Sequence, residues 1–261
     1  MTAKKILVVI PTFNRKDLIE LTSRYLERID FDSGRFSFLV SDDCSTEFGL
    51  TFLKSAYGDL PNIRFMKTNR NSGAVAHVWV LFKFFLDSEF DKILVLDSDL
   101  IVHKSCVQAT IDFDGELISS LYNSYFHRID KECGTYCTKA DIGWAGALVD
   151  RSIVGEMFNL FGARPFDDWA LSDVARQRNW TIKVSRPSAI EHIGILGSNN
   201  VAPEHFDHSF DFPTEYIDEP TRDYFAKRHG IDLLRHLKMR PDTLAGDLSR
   251  FALRPGPGTK R

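Results

Sequence analysis

Four short apolar runs, each stopped by polar residues and separated from the next by a helix-length segment, constrain this chain most. They are residues 5–10 (Lys-Ile-Leu-Val-Val-Ile), 36–41 (Phe-Ser-Phe-Leu-Val-Ser), 63–68 (Ile-Arg-Phe-Met-Lys-Thr) and 93–96 (Ile-Leu-Val-Leu). Near-continuous apolar runs of this length fit strands buried on both faces. Between them, Leu18, Leu21, Tyr25 and Leu26 recur at helical spacing behind Asn14, a candidate cap with Asp17 three residues on. Helices are also expected near 46–56 and over 74–87. The order βαβαβαβ predicts an α/β fold with a parallel sheet covered on both faces.

Each run ends in groups that bind ligands. Thr12 and Asn14 follow the first, Asp42-Asp43 the second, Asn69-Arg70 the third, and Asp97-Ser98-Asp99 the fourth. Ligands of open α/β sheets sit beyond the carboxyl ends of the strands, so four such ends predict a nucleotide crevice on one edge. Asp97 and Asp99 are one residue apart and would point the same way, with Ser98 opposite. Hard cations such as Mg2+ or Mn2+ are held by one or two carboxylates together with substrate phosphates. The Gly-x-Gly-x-x-Gly and Gly-x-x-x-x-Gly-Lys-Ser/Thr fingerprints are absent, which argues against a dinucleotide dehydrogenase and a P-loop enzyme.

The second half is more mixed. Strands are expected within 116–127, at 143–149, at 181–184 and from Pro187 to His192, with a helix over 167–179 that starts at Asp167-Asp168. The small residues around Trp144 and Gly146 would let a ligand approach the backbone. Residues 196–220, rich in Gly, Asn, Pro, His and Phe, read as a loop or lid. A final amphipathic helix is expected over 221–238, and a flexible tail from Arg254. The expected organisation is one domain over 1–220, divided into a nucleotide half (1–100) and an acceptor half with lid (101–220). A C-terminal helical segment (221–253) and the tail (254–261) follow.

With 261 residues and a net charge of −3, the chain has core enough for one domain and no overall basic footprint for nucleic acid. No stretch approaches the ~18 apolar residues of a membrane span. The N-terminal run is too short for a signal-peptide core, so a cytoplasmic location is expected. Cys44, Cys106, Cys133 and Cys137 lack zinc-site spacing; Cys133 and Cys137 could pair in an oxidising setting, whereas in a cytosolic protein free thiols are expected.

Taken together, Val9-Ile10-Pro11-Thr12-Phe13-Asn14-Arg15, Ser41-Asp42-Asp43-Cys44-Ser45, Asn69-Arg70-Asn71-Ser72-Gly73, Asp97-Ser98-Asp99, Phe166-Asp167-Asp168 with Leu171, and Pro187 to His192 resemble, in order and spacing, the glycosyltransferases of the GT-A fold, most closely family 2. The resemblance covers about residues 4–195. It implies a Rossmann-like nucleotide-sugar-binding sheet with a mixed acceptor-side half. Pro11, Thr12, Asn14 and Arg15 would line the base end of a nucleotide-sugar, and Asp42 or Asp43 would accept from base or ribose. Asn69, Arg70 and Gly73 would form the turn near the diphosphate. Asp97 and Ser98 would meet ribose or metal-bound water, and Asp99 and His192 would hold Mn2+ or Mg2+. Trp144 and Gly146 would lie along the sugar, with Trp144 and Trp169 as possible stacking partners.

The resemblance further implies Asp168 as the general base, with Asp167 orienting it, and a single displacement that inverts the anomeric centre. The chain departs from the family pattern in its Asp-Asp where Glu-Asp is common, and in Ala74-Val75-Ala76-His77-Val78 after the glycine turn. Without a Gln-x-x-Arg-Trp motif it reads as non-processive. The donor would be a nucleoside-diphosphate sugar, UDP being commonest. The acceptor could be a glycan, lipid-linked sugar, protein, small molecule or modified DNA. Basic residues of the last helix and tail (Lys227, Arg228, His229, Arg235, His236, Lys238, Arg240, Arg254, Lys260, Arg261) would allow a peripheral membrane or polyanion contact. Two other classes compete. Phosphohydrolases with Asp-x-Asp carry it on the first strand, and nucleotidyltransferases need a Gly-rich loop that Pro11–Asn14 is not. A non-catalytic nucleotide-sugar-binding protein would not need the acids at 97, 99, 167 and 168.

Overall fold

Apolar alternation along the first strand decides how the sheet is covered. In β1 (Ile6–Thr12), Ile6, Val8 and Ile10 join one buried cluster, while Leu7 and Val9 join another. β4 (Lys92–Val95) divides the same way: Leu94 belongs to the first cluster, Ile93 and Val95 to the second. Side chains of successive strand residues point to opposite faces, so the two clusters are the two faces of one sheet. The computed structural model describes residues 3–195 and 207–238. The chain divides into two compact units, Met1–Tyr216 and Ile217–Arg261.

The first unit holds a nine-stranded sheet. Its parallel half consists of β3 (Ile63–Lys67), β2 (Phe36–Asp42), β1 and β4 in that order. The mixed half continues from β4 with β9 (Ala147–Asp150), β6 (Ile118–Ser120), β10 (Ile182–Ser185), β8 (Tyr136–Lys139) and β7 (Ile129–Glu132). β9 runs antiparallel to both β4 and β6, so the direction reverses there. From β1 the chain goes to β2 and β3 on one side, then to β4 on the other. That reversal opens a crevice at the carboxyl ends of β1 and β4.

The helices follow from their apolar faces. α3 (Ala74–Leu86) buries His77, Val78, Leu81, Phe82 and Phe85, a single helical stripe, against the second cluster. α1 (Lys16–Glu27) buries Ile19, Tyr25 and Leu26. Phe82 meets Trp144 edge-on at 4.9 Å and stacks on Phe166 at 5.8 Å. Truncating such a buried aromatic costs about 3–5 kcal/mol.

Several local expectations shift. Asn14 is not the cap of α1. Asn14 and Arg15 both lie in the left-handed region (φ 53 and 60), so the helix begins after Arg15. The helix expected at 46–56 starts only at Leu50, as α2 (Leu50–Tyr57), because side chains take the amides before it. Ser45 N–H donates to Asp42 Oδ1 at 2.9 Å, and Thr46 and Glu47 N–H donate to Asn14 Oδ1 at 2.9 and 3.3 Å. β5 (Leu100–Val102), α4 (Cys106–Asp112), the β7–β8 hairpin and α5 (Arg151–Phe161) are additional elements. Asp150 ends β9 and also caps α5, accepting from Ser152 N, so strand and helix adjoin without the loop that would mark a boundary. Asp167 similarly caps α6 (Asp168–Gln177). The four cysteines are free thiols.

Outside the main sheet, β11 (Ile190–His192) pairs antiparallel with β5, with His192 opposite Leu100. The chain from Asp207 to Phe212 runs beside 123–125. Tyr125 N–H donates to His208 O at 2.9 Å, and Phe210 N–H donates to Asn123 O at 2.7 Å. The rest of the expected lid, 196–206, lies outside the described residues.

In the second unit the expected single helix is two: α7 (Glu219–His229) and α8 (Leu233–Lys238). Gly230, at φ 65, ends the first, since glycine takes this conformation without Cβ strain. Lys227 pairs with Asp223 at 2.6 Å, and Arg228 lies 5.8 Å from the Tyr224 ring centre. Arg240, Arg254, Lys260, Arg261 and the expected tail lie outside the described residues. Among the described residues no helix is long and apolar enough to cross a membrane.

Candidate active site

Short β pairing brings the expected metal ligands together. Asp99 immediately precedes β5, His192 ends β11, and the register sets them side by side. Asp99 O accepts from Ile193 N–H at 3.0 Å, which closes the pairing at this end. His192 Nε2 stands 3.3 Å from Asp99 Oδ2, and Nδ1 lies 3.1 Å from the Asp207 carbonyl. A carbonyl can only accept, so Nδ1 carries the proton in that contact and Nε2 is oriented toward Asp99.

The charges are strongly coupled. Burial alone would raise the Asp99 carboxyl, but the His192 charge and hydrogen bond, with Arg15, outweigh it and hold it at about 2. Burial opposes protonation of His192, yet Asp99 raises its pKa to about 9. Asp97, half-buried at the end of β4, is pushed up to about 7, first by burial and then by the Asp99 charge; the Asp168 charge also reaches it. Asp97 makes no side-chain hydrogen bond among the described residues.

Sequence reasoning missed two contributors here, Gly194 and Glu191, and set a third, Arg15, at the base end of the nucleotide-sugar and not at the acid pair. Gly194 faces the pair so closely that a Cβ would lie 2.1 Å from Asp99 Oδ2 and 2.8 Å from His192 Nε2. Its only signal is the spacing His192-Ile193-Gly194. Glu191, buried behind His192, accepts from His192 N–H, Ser209 N–H and Ser209 Oγ–H at 3.0, 2.8 and 2.6 Å, and burial raises its pKa to about 7. Arg15 donates from Nη1 to Asp99 Oδ2, so its guanidinium lies at the acid pair.

A divalent cation fits this donor set: carboxylate oxygen and imidazole nitrogen, an unpaired second carboxylate, and space kept free of a Cβ at Gly194. Among the described residues no three His, Cys, Asp or Glu side chains converge as metal ligands. The remaining positions would therefore fall to the ligand's own oxygens or to water.

The ends of β1, β2 and β3 are tied to one another. Asp42, fully buried, holds Lys67 Nζ at 2.8 Å. Asp43 Oδ2 accepts from the Ser72 and Gly73 amides at 2.9 Å each. Its Oδ1 accepts from Ser72 Oγ at 2.9 Å and Thr68 Oγ1 at 3.2 Å. Thr12 is buried and donates to Ser41 O at 3.3 Å. Pro11 is half-buried in the β1 strand. Asn69 and Arg70 are exposed on the turn, and Gly73 has φ 81. Ser98 O accepts from Thr22 Oγ1 at 2.8 Å.

On the opposite side, Asp168 Oδ2 accepts the Trp144 N–H at 3.3 Å and Oδ1 accepts the Trp169 N–H at 3.0 Å. Burial, then the Asp167 charge, raises its pKa to about 6. Asp167 Oδ1 accepts from Ala170 N–H at 2.9 Å as the helix cap. The Trp144 ring is core, 9% exposed, and its amide is taken by Asp168. Trp169 is 53% exposed and lies edge-on to His127, with ring centres 6.2 Å apart. Gly146 packs against the protein itself: a Cβ there would meet Ile190 Cδ1 at 2.9 Å and Tyr122 N at 3.0 Å.

Residues 7–117 match the family model described as glycosyl transferase family 2. No curated protein matches the sequence significantly. Among solved structures, Staphylococcus aureus TarS 1-349 in complex with UDP-GlcNAc aligns with a TM-score of 0.53 and 20% identity, over 71% of this chain and 57% of that one. The mannosyltransferase PcManGT from Pyrobaculum calidifontis, in complex with GDP-Man and Mn2+, aligns with a TM-score of 0.52 and 13% identity, over 72% and 59%. The chain thus spans a little over half the length of these relatives. Sheet order, crevice and matched segment agree: the chain has the GT-A glycosyltransferase fold, and its nucleotide-side half resembles glycosyl transferase family 2.

Proposed function

We propose that this chain transfers one hexosyl or pentosyl unit from a nucleoside-diphosphate sugar, UDP-linked by preference, to an acceptor hydroxyl with inversion. The electrostatic proximity of the two acid pairs supports the reading best: the Asp168 charge reaches Asp97, as expected if the candidate base and the Asp97/Asp99 acids serve one site. The relatives were solved with UDP-GlcNAc and with GDP-Man and Mn2+, which supports a nucleotide-sugar as the ligand class.

Asp168 accepts the acceptor's proton as its oxygen attacks the anomeric carbon, and the bond to the diphosphate breaks on the opposite face. A carboxyl held near 6 is largely ionised at neutral pH and still basic enough for this task. The Trp144 and Trp169 amides fix its orientation. Asp99 and His192 would hold Mn2+ or Mg2+, which supplies charge stabilisation for the departing diphosphate. Asp97 would contact the ribose or water on that cation. Asp43 and Asp42 hold the base-side turns in place; with two donors on each Asp43 oxygen, that carboxylate serves as framework for this end. Thr12, Asn14, Asn69, Arg70 and Gly73 frame that end, and Arg70 makes no side-chain pair among the described residues. Trp169, more than half exposed, would stack on an acceptor ring.

The test is a thermal-shift screen of UDP-, GDP-, dTDP- and CMP-sugars with Mn2+ or with chelator, since a ligand selective for the native state raises its melting temperature. A cation-dependent shift with one nucleotide supports the reading and names the donor. No shift with any of them rejects it.

A further inference from the structure

Two side chains converge on one oxygen. Asp99 Oδ2 is hydrogen-bonded by Arg15 Nη1 and lies 3.3 Å from His192 Nε2. The Asp99 side chain is 7% exposed and that of Arg15 31%, so the guanidinium covers a carboxylate that is otherwise closed off. This placement is built in. Asn14 and Arg15 are consecutive left-handed residues, a conformation uncommon for non-glycine residues. It is held by Asn14 N–H donating to Ser45 Oγ at 2.7 Å and by the Thr46 and Glu47 amides on Asn14 Oδ1.

A divalent cation on Asp99 Oδ2 needs the lone pairs that the guanidinium now takes, and a dication held elsewhere on the same carboxylate is repelled by the guanidinium charge. Withdrawing the arginine with nothing in its place strips a buried carboxylate of a partner, which is costly. The two cations are therefore alternatives. A diphosphate offers the guanidinium a second home, because its planar fork matches phosphate oxygens in pairs.

We propose that Arg15 is an exchangeable counter-ion for Asp99: it neutralises the carboxylate while no donor is bound and releases it when a nucleoside diphosphate takes up the guanidinium. The proposal rests on the donor-site reading above. Arg15 then couples nucleotide and divalent cation, and by linkage each strengthens the other equally. Arg15 is a positioning residue for the site before donor binding and a phosphate contact after it.

The experiment is a Mn2+ titration followed by the free-ion electron paramagnetic resonance signal, with the full chain, in the absence and presence of UDP or GDP. Wild type is compared with Arg15→Gln and Arg15→Lys. Arg15→Gln should bind Mn2+ alone about tenfold more tightly than wild type, within the usual range of site couplings. Nucleotide should then tighten Mn2+ less in the variant than in wild type. Arg15→Lys, with a single-point charge, should fall between, and it carries the same comparison if Arg15→Gln does not melt cooperatively. If all three proteins bind Mn2+ with nucleotide but the variants bind Mn2+ alone no more tightly than wild type, the exchange is overturned and the donor-site reading stands. If no protein binds Mn2+ even with nucleotide, both fall.

Discussion

The Asp168 carboxylate accepts the backbone N–H of Trp144 at 3.3 Å, tying the start of α6 to the segment that leads into β9. One acid therefore links a helix N-terminus to the approach of β9. Its bond to the Trp169 amide in the first turn of α6 and the proposed role as a base do not exclude each other.

The pH dependence of transfer follows from this acid. Its pKa is raised to about 6 by burial and then by Asp167. The ionised form is the base, so activity should rise as pH climbs through about 6 and level off above it. Initial rates at saturating donor between about pH 5 and pH 8 measure this. Asp168→Asn should lower kcat by roughly 10²–10⁴-fold while the donor-induced thermal shift persists. Asp167→Asn keeps a good helix cap but removes the neighbouring charge, so the acid limb should move to lower pH. A rate unchanged in Asp168→Asn would exclude Asp168 as the base.

Asp43 makes a prediction about stability. It is 3% exposed and holds the turn through Ser72, Gly73 and Thr68. Replacing it with Ala leaves those donors without their acceptor, a loss of about 1–3 kcal/mol. The urea midpoint should fall, and donor binding should weaken because the turn beside the crevice loosens. A midpoint equal to wild type would leave Asp43 only a ligand-contact role.

The parallel half of the fold was legible because each strand is an unbroken apolar run, and the four polar strand ends located the crevice. The acid pairs were legible as short motifs. What escaped depends on contacts far apart in sequence. Nothing near residue 15 signals that Arg15 reaches Asp99, 84 positions away. The β5–β11 pairing involves three residues on each side, too few for a periodic pattern. α5 was hidden because Asp150 serves as strand end and helix cap together. Trp144 looked like a stacking surface, but its ring is placed by Phe82 and Phe166, partners that only the assembled core provides.

The Asp99–His192 pair should govern cation dependence. Asp99→Ala should weaken donor binding and make the remaining binding insensitive to chelator, as should His192→Ala to a smaller degree. Isothermal titration with the preferred nucleotide, with Mn2+ and with EDTA, measures both. Full cation dependence in Asp99→Ala would move the metal to other ligands.

Gly146 and Gly194 both exclude a side chain, for different reasons, and alanine at each should separate stability from binding. At Gly146 the backbone has φ 71, and a Cβ would press on the Tyr122 amide nitrogen at 3.0 Å and on Ile190 Cδ1 at 2.9 Å. The left-handed strain costs roughly 1–2 kcal/mol. Overpacking adds about 1–3 kcal/mol. Gly146→Ala should therefore lower the urea midpoint markedly, while the protein that remains folded binds donor normally. At Gly194 the obstructed atoms are Asp99 Oδ2 and His192 Nε2, the functional pair itself. Gly194→Ala should lose most Mn2+-dependent donor binding, with a smaller fall in stability because the pair can swing aside into the cleft. Denaturation curves and donor titrations on the two variants decide the matter. Equal losses in both assays would mean that Gly194, like Gly146, serves packing and not the site.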